Sequence, residues 1–483
     1  MNFRIVMKTL GLLMISLGAA LLFPLLWSVY FSSSDLFAIF LTIVIALGCG
    51  LGLYLPNRKA MNDIQKKEGM AVVTLGWFSA AVIGAIPYRV GGVFDSSIEA
   101  FFESMSGFTT TGASLITDFD AVPPGILFWR SLTHWLGGMG IIVLFIAVLP
   151  YLGVGGRQLF RSEVPGPVPE GLRPRVQQTA RTLWIIYLAF SAVETILLMI
   201  GGMNLFDALC HTFGTLATGG FSTRPGSIGD YQSPFIEWVI IFFMLAAGIN
   251  FSLYFHLFFR RGASRMLKDH ELRYYLAILV VAALLITGIL MYWQTEPDAS
   301  VAFRKAVFQA TSILTTTGYG TADFNHWPDC AKAILLLLMF IGGCAGSTGG
   351  SMKVIRVIIV GKWLLNEIHH AFKPKEIRPL RVGGAVVPDH VRDAILGFVL
   401  LFVGIFAAGT LLMTFLGCDL VTGFSSVIAT LGNVGPGLGS VGPAGNYTEI
   451  PMLGKLLLSF FMLLGRLELY TVLVLFSPSF WKR

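Results

Sequence analysis

Four short stretches rich in threonine and glycine carry the residue types that bind a cation without a buried charge. They align at Gly112, Gly219, Gly318 and Gly435, at intervals of 107, 99 and 117 residues. Rings of backbone carbonyls can replace a cation's hydration shell, and glycine adopts the positive φ angles that turn carbonyls toward one centre. We therefore predict a four-loop selectivity filter made of Thr110, Thr111, Gly112, Thr218, Gly219, Thr316, Thr317, Gly318, Asn433, Val434 and Gly435.

The third loop has the most specific sequence of the four. It reads TTGYG at 316–320 and differs from the potassium-channel filter TVGYG by one β-branched exchange. A single motif of this kind is more simply explained as a turn, but four at equivalent places favour a filter. A moderately apolar run precedes each loop and is too short to span a bilayer. We expect these runs to be half-helices whose negative C-terminal ends attract a cation.

The rest of the chain has the composition of a membrane protein. It has 483 residues, of which 55% are hydrophobic and 13% are charged, whereas soluble proteins have about 25% charged residues. This composition excludes a disordered chain and argues against a soluble enzyme. Lipid requires backbone groups to be satisfied within the segment, so the long apolar runs should be helices. The ten predicted spans are roughly 5–31, 35–55, 70–88, 124–152, 182–202, 234–259, 274–294, 331–360, 394–417 and 453–478.

Basic residues predict the orientation of these spans. Of the 34 lysines and arginines, 26 lie at the termini and in alternate connections, which places them on one side of ten spans. Basic loops remain in the cytosol, so both termini are predicted to be cytosolic. The net charge of +7 is explained by this topology without a nucleic-acid partner.

The spans and loops form an internal repeat of helix, half-helix with Thr/Gly loop, and helix. The predicted fold is an all-α polytopic membrane protein with four pseudo-symmetric repeats around one ion pore and two extra N-terminal transmembrane helices. In each repeat we expect the final helix to break at a glycine, namely Gly138, Gly248, Gly343 and Gly465. The predicted divisions are 1–68 for the extra helices, and 69–160, 161–262, 263–365 and 366–483 for the repeats, the last preceded by a cytosolic basic segment.

The break in the third repeat has the composition of a gate. Residues 342–350 contain five glycines, each of which costs a helix about 1 kcal/mol relative to alanine. Arg466 is a cation inside the last predicted span and should meet backbone carbonyls, this glycine run or the ion path. The alternatives are a tight helix crossing for the glycine run and a structural anchor for the arginine. The predicted gate residues are Gly342, Gly343, Gly346, Ser347, Thr348, Gly349, Gly350 and Arg466.

The motifs together resemble the membrane subunits of bacterial Trk potassium uptake systems, in the Trk/Ktr/HKT superfamily. The resemblance covers essentially the whole chain. In related transporters with serine at the position of Gly112, selectivity is for Na⁺, so Gly112 favours K⁺. Tyr319 departs from the alanine or phenylalanine expected in the bacterial family. The motifs that carry the resemblance are FFESMSGFTTTGAS, ATGGFST, TTTGYG, FIGGCAGSTGGSMKVIR, ATLGNVGPGLG and GRLELYTVLVLFSPSFWKR.

This resemblance implies a function and a set of partners. It implies gated K⁺ permeation across the bacterial cytoplasmic (inner) membrane. It also implies a homodimer, with one pore in each protomer, bound to a cytosolic nucleotide-binding regulatory ring. No phosphate-binding loop follows a predicted strand in this sequence. We therefore expect K⁺ as the only ion cofactor of the chain and no organic cofactor, with any nucleotide bound by the partner.

Two other functions are compatible with a polytopic chain. The first is a proton- or sodium-coupled K⁺ symporter, since coupled transporters also contain broken helices, although their repeats are usually inverted or twofold. The second is an intramembrane enzyme, for which the eight histidines and five cysteines offer no nucleophile–base pair or metal-ligand cluster. Four parallel repeats favour the pore.

Overall fold

The chain folds into a bundle of apolar helices. The computed structural model describes residues 1–60, 65–140, 176–259, 263–376 and 378–481. Within these ranges, six continuous helices are long and apolar enough to cross a membrane, and a seventh span is possible if one sharply bent helix pair is included. The six are Phe3–Tyr30, Leu36–Asn57, Lys67–Val90, Arg181–Ile200, His270–Tyr292 and Asp389–Phe415.

The two N-terminal spans pack against each other outside the repeats. Phe3–Tyr30 consists of the helices Phe3–Ala20 and Leu22–Tyr30, and it crosses Leu36–Asn57 at Gly11 and Gly50. A β-carbon on Gly11 would lie 2.7 Å from the Gly50 carbonyl oxygen. The two backbones approach this closely only because both residues lack a side chain.

The described part of the chain contains the predicted unit four times. A long helix leads into a half-helix, a loop follows, and a shorter helix leads away. The long helices are Lys66–Val90, Val176–Ile200, His270–Tyr292 and Asp389–Phe415. The half-helices are Ser97–Phe108, Leu205–Leu216, Ala299–Leu314 and Leu420–Leu431. The shorter helices are Pro124–Trp135, Pro234–Ala247, Asp329–Ile341 and Met452–Arg466.

A polar cap fixes the start of every half-helix. The side chains of Ser96, Asn204, Asp298 and Asp419 each accept a hydrogen bond from a backbone N–H in the first turn. Such caps satisfy N–H groups that have no partner within the helix. The shorter helices begin at or next to proline, whose fixed φ suits a first turn and whose missing N–H costs nothing there.

The four spans that follow the loops are interrupted helices, as predicted for the final helix of each repeat. Pro124–Trp135 passes into the π-helix Leu136–Gly140, and residues 141–152 of that predicted span lie outside the described residues. Pro234–Ala247 ends at Gly248 before the helix Phe251–Phe259 begins. Asp329–Ile341 ends at Gly342, which has φ 78°. These breaks lie at or next to the predicted glycines.

The fourth break differs from the prediction. The last shorter helix continues through Gly465 to Arg466 and then bends by 111° toward residues 470–476. The turn is made by Glu468 and Leu469, whose φ angles are 61° and 47°. Gly465 has a different role: a β-carbon there would lie against the Leu431 carbonyl at the end of the fourth half-helix.

The segment between the third and fourth repeats is ordered. The helix Val354–Phe372 leads to an antiparallel hairpin of Arg381–Val382 and Ala385–Val386. This helix spans the predicted boundary at 365/366, and the boundary at 160/161 lies outside the described residues. The remaining short helices are Ala263–Lys268, Tyr470–Leu473 and Pro478–Trp481, with 3₁₀ turns at Ser227–Tyr231, Phe324–His326, Gly439–Val441 and Val474–Phe476.

Candidate ion pathway

Two residues after the end of each half-helix, one residue is held in the left-handed conformation. These residues are Thr110, Thr218, Thr316 and Asn433, with φ of 52°, 53°, 60° and 52°. Asparagine tolerates this conformation, but it is a true outlier for β-branched threonine. Such strain persists only where the surrounding structure enforces it, and it concentrates at functional sites. The four loops therefore share one enforced backbone geometry.

A glycine with positive φ lies two residues further along each loop. Gly112, Gly220, Gly318 and Gly435 have φ of 80°, 77°, 83° and 97°. The sequence alignment on Gly219 was thus one residue out, because the equivalent glycine of the second loop is Gly220. Gly219 has the position of Thr111, Thr317 and Val434, and all four donate their N–H to the carbonyl five residues earlier. The ATGG sequence offered two glycines, and only the backbone conformation distinguishes them.

The four loops form a closed ring. A β-carbon on Gly112 would collide with the carbonyl oxygen of Gly219 in the second loop. A β-carbon on Gly220 would likewise collide with the third loop, one on Gly318 with the fourth loop, and one on Gly435 with the first loop. The carbonyls so approached belong to Thr111, Gly219, Thr317 and Val434, and each separation would be under 3.0 Å, closer than real β-carbons come. Each glycine is therefore required for its loop to lie against the next.

Most side chains of the predicted filter residues bond within or behind the ring. Asn433 Nδ2 donates to Thr111 Oγ1 at 3.0 Å and so joins the fourth loop to the first. Thr315 and Thr317 pair through their hydroxyls at 2.7 Å, as Thr109 and Thr111 do at 2.8 Å. The Thr110 hydroxyl is buried and has no hydrogen-bond partner among the described residues. Asn433 Oδ1 is likewise buried without a partner among the described residues, so backbone carbonyls, the Thr110 hydroxyl and Asn433 Oδ1 are the oxygens left for an ion.

The glycine run of the third repeat packs directly under the ring. Gly350 donates its N–H to the Thr316 hydroxyl at 2.7 Å. A β-carbon on Gly350 would lie against the carbonyl of Gly432, at the end of the fourth half-helix. One on Gly349 would lie 3.0 Å from the Thr315 carbonyl. The run therefore touches the third and fourth loops where their half-helices end.

The same run is tied to the broken helix of the second repeat. Cys344 donates its N–H to the Gly248 carbonyl at 2.9 Å, and Phe251 donates to the Gly346 carbonyl at 3.1 Å. The Thr348 hydroxyl donates to the Ala247 carbonyl at 3.1 Å. Backbone carbonyls and N–H groups that lose their intrahelical partners at one helix break form hydrogen bonds with groups at the other break. The unwound backbone is accordingly buried in protein, as membrane depth requires.

Arg466 meets the glycine run, in agreement with the contact predicted for it. Its Nη1 donates to the Thr348 carbonyl at 2.7 Å. Its Nη2 donates to the carbonyls of Gly137 and Gly138 at 2.6 and 2.9 Å. The planar guanidinium has several fixed donors and no acceptor, so it can hold carbonyls of the first and third repeats from the fourth. The adjacent bend at 467–469 aims the side chain there.

Two acidic residues at this site were not predicted. Glu271 accepts hydrogen bonds from the N–H groups of Ala345 at 2.7 Å and Ile355 at 3.1 Å. It thus binds both the glycine segment, defined here as residues 342–353, and the start of the helix that follows it. Glu468 forms an ion pair with Arg356 of the following helix. No pairing partner for either could be read from the sequence, since the residues they bind lie 74 and 112 residues away along the chain. Asn250 lies against Gly346 and caps the helix Phe251–Phe259 by accepting from the Ser252 N–H at 2.9 Å.

Comparison with known proteins identifies the family. The family model of TrkH, described as a cation transport protein, matches residues 35–483. The chain belongs to this TrkH family. The Trk system potassium uptake protein TrkH of Halomonas elongata is 39% identical over 485 residues, and that of Escherichia coli K12 is 38% identical over 488, with 100% of each chain covered. The TrkG protein of Escherichia coli K12 is 34% identical over 481 residues.

A solved TrkH structure has the same fold. The crystal structure of the potassium transporter TrkH from Vibrio parahaemolyticus superimposes with a TM-score of 0.90, at 36% identity, and 100% of both chains is covered. Membership of the TrkH family makes this chain a multi-span membrane cation transporter and excludes the intramembrane enzyme.

Proposed function

We propose that this chain carries K⁺ across the bacterial cytoplasmic membrane through the ring formed by its four loops. The observation that carries the proposal is the closed cycle of contacts in which each positive-φ glycine lies against a carbonyl of the next loop. Four loops arranged in this way surround one axis with backbone oxygens. The relatives named above are potassium uptake proteins by name, which supports K⁺ as the ion.

The filter consists of the predicted residues with Gly220 added. Carbonyl oxygens replace the water around the ion and do so without a buried negative charge. The negative ends of the half-helices favour a cation at the ring. The Thr110 hydroxyl, which is buried and unpartnered among the described residues, supplies one further oxygen at the end of the ring next to the half-helices.

The gate consists of the glycine segment and Arg466. The contact of Gly350 with Thr316 places the segment against the filter, and Arg466 holds it through the Thr348 carbonyl. A guanidinium there opposes the approach of a second cation. Opening requires the loop to give up these bonds for another arrangement, and glycine permits such a change at little conformational cost.

The proposal includes a membrane orientation and partners. Both termini and the basic segment 361–393 face the cytosol, where a nucleotide-binding regulatory ring docks. The chain itself holds no organic cofactor and works as a homodimer with a pore in each protomer. The helix Val354–Phe372 supports a regulatory role for the segment, because it is continuous with the glycine segment at one end and precedes the basic hairpin at the other.

A coupled symporter is the second candidate. The buried ion pairs and broken helices of this chain are compatible with coupled transport, but the fourfold ring favours permeation. Purified protein in a planar bilayer distinguishes the two functions. Discrete current steps under voltage clamp support permeation, and K⁺ flux that moves in a fixed ratio with H⁺ or Na⁺ supports a symporter.

The ring itself is tested by Gly220→Ala. The β-carbon would collide with the Thr317 carbonyl, and a positive φ alone costs an alanine roughly 1–2 kcal/mol. We expect ⁸⁶Rb⁺ uptake into proteoliposomes to fall by at least about tenfold, the factor that corresponds to about 1.4 kcal/mol. Gly288→Ala is the matched control, because nothing lies within 4 Å of a β-carbon there. Normal uptake by Gly220→Ala, at equal protein content, would contradict the filter assignment.

A further inference from the structure

Each half-helix carries a polar side chain that holds the return arm of its own loop. The return arm is defined here as the three or four residues after the positive-φ glycine. Glu103, His211 and Gln309 lie nine residues before that glycine, and Ser425 lies ten before it. All four side chains are fully buried. Their equivalent placement in four unlike sequences indicates a shared role, and we call them the strut residues.

The strut of the first repeat is the most strongly bonded. Glu103 Oε1 accepts a hydrogen bond from the Ser114 hydroxyl at 2.9 Å. Its Oε2 accepts from the Leu115 backbone N–H at 2.8 Å. Because the acceptor is a carboxylate, both bonds are charge-assisted and stronger than neutral ones. The strut thus fixes the first return arm through two adjacent residues.

The other three struts use neutral groups for the same purpose. His211 pairs through Nε2 with the Ser222 hydroxyl, and Gln309 donates to a carbonyl four residues past its glycine. Ser425 both donates to and accepts from one backbone position. The distances are 3.0 Å for His211 to Ser222, 3.2 Å for Gln309 to Ala322, and 2.9 Å for each Ser425 bond to Leu438.

The tautomer of the second strut follows from its partners. His211 Nδ1 lies 2.8 Å from the carbonyl oxygen of Asp207, which can only accept. The proton is therefore on Nδ1, and Nε2 of the neutral ring accepts from the Ser222 hydroxyl. Ser222 Oγ in turn accepts from the Arg224 N–H at 3.0 Å.

Arg130 links the first strut to the second loop. Its Nε lies 2.7 Å from Glu103 Oε1, and the two side chains are 3% and 0% exposed. Its Nη1 donates to the Ser222 carbonyl at 2.8 Å, and its guanidinium lies 3.5 Å from the centre of the Phe221 ring. Ser222 occupies in the second loop the place of Ser114 in the first. One buried ion pair thereby holds equivalent points of two adjacent loops.

We infer that Glu103 and Arg130 are positioning residues that set the ion selectivity of the pore by fixing the first and second return arms. The inference rests on the proposed function, because it gives the loops' carbonyls the role of ion ligands. His211, Gln309 and Ser425 do the same for their own loops through neutral hydrogen bonds.

Glu103→Gln tests the pair through selectivity, which a merely structural ion pair would not change. The measurement is K⁺ uptake by proteoliposomes in competition with Na⁺ and Rb⁺, at matched protein content. We expect the Na⁺/K⁺ ratio to rise by about fivefold, which corresponds to about 1 kcal/mol, a usual net value of one hydrogen bond. Glu237→Gln is the matched control: its ion pair with Arg304, at 2.9 Å, joins two helices rather than a return arm.

A double variant separates positioning from stability. Glu103→Gln with Arg130→Met removes both charges, so the folded protein no longer contains an unpaired buried ion. We expect this double variant to recover protein yield relative to Glu103→Gln while its Na⁺/K⁺ ratio stays raised. Ser114→Ala removes one hydrogen bond and no charge, and it carries the test if Glu103→Gln does not insert.

The outcomes distinguish this inference from the proposed function. A wild-type chain without preference for K⁺, or normal uptake by Gly220→Ala, would overturn the filter itself. A selective wild type whose ratio is unchanged in Ser114→Ala, Glu103→Gln and the double variant would overturn only the positioning role. A raised ratio in these variants, together with an unchanged ratio in Glu237→Gln, supports it.

Discussion

Left-handed threonines are the unusual feature at the scale of single residues. Thr110, Thr218 and Thr316 each hold a conformation that costs of the order of 1–3 kcal/mol. The following glycine then lets the loop lie against its neighbour. The strain is maintained by the half-helix on one side and the closed ring on the other. Because the four loops close into one ring, a substitution in any one loop tests the geometry of the whole ring.

Gly112→Ser is the prediction at this scale. Serine would have to adopt φ 80°, and its β-carbon would meet the Gly219 carbonyl. We expect the first and second loops to separate locally, so that K⁺ uptake falls and the ratio of Na⁺ to K⁺ uptake rises. The measurement is competitive ⁸⁶Rb⁺ uptake in proteoliposomes, with Gly52→Ser as control because its surroundings are open. Relative permeabilities equal to those of the parent would remove Gly112 from the filter.

The glycine segment acts at the scale of elements, because it joins four of them. It contacts the end of the third half-helix, the break of the second repeat, the long helix that carries Glu271, and Arg466. Within twelve residues it contains Gly342, Gly346, Ser351 and Lys353 with positive φ. A backbone with this many positive φ angles is held in place by its contacts. We expect it to change conformation when those contacts are lost.

Arg466→Ala is the prediction for this element. The variant removes the donors to Thr348, Gly137 and Gly138 and a positive charge beside the ring. We expect K⁺ leak through the closed state to rise, while selectivity is retained because the ring is unchanged. Deletion of 345–349 should have the same effect. ⁸⁶Rb⁺ uptake at matched protein content measures the leak, and Arg392→Ala is the control, since its ion pairs with Asp389 and Asp393 lie at the surface.

A leak at or below the parent level in both gate variants, with normal insertion, would mean that the glycine segment is a packing feature. Arg466→Lys refines the result. Lysine retains the charge but cannot span three carbonyls with a planar fork. A leak in Arg466→Lys therefore assigns the effect to hydrogen bonding, and parent behaviour assigns it to charge.

At the scale of the whole molecule, continuous structure links the basic segment 361–393 to the ring of four loops. The helix Val354–Phe372 begins where the glycine segment ends. Arg356 ties this helix to Glu468 of the fourth repeat, and Lys362 ties it to the hairpin by donating to the Arg381 carbonyl at 2.9 Å. We therefore expect a partner bound at the hairpin to move the helix and, with it, the glycine segment under the loop ring.

At the scale of the whole molecule, we predict that a soluble regulatory ring protein controls K⁺ flux through the chain. Adding the regulatory ring and a nucleotide to the reconstituted chain should change K⁺ flux. Lys362→Ala should weaken that response and leave the flux without partner unchanged, because Lys362 lies far along the helix from the filter. Equal flux with and without ring and nucleotide, in a preparation where the ring is shown to bind, would reject this coupling.

The sequence by itself determined the class of the molecule and the outline of the site. Composition and hydropathy excluded a soluble fold, since apolar runs of this length need lipid or protein around them. The repeated Thr/Gly stretches located four loops, and the moderately apolar runs before them indicated half-helices. These signals are local, so they can be read from neighbouring residues along the chain.

Only the tertiary structure decided which atoms meet. Gly219 and Gly220 are chemically identical, and the contact with the third loop selects Gly220 for positive φ. The bend at 467–469 replaced the expected break at Gly465, because Gly465 packs against a half-helix end. Glu103 pairs with Arg130, 27 residues further along the chain, and Glu271 accepts from the N–H of Ala345, 74 residues further along. Hydrogen bonds and ion pairs depend on distances of about 3 Å in space, and separation along the chain does not fix such distances.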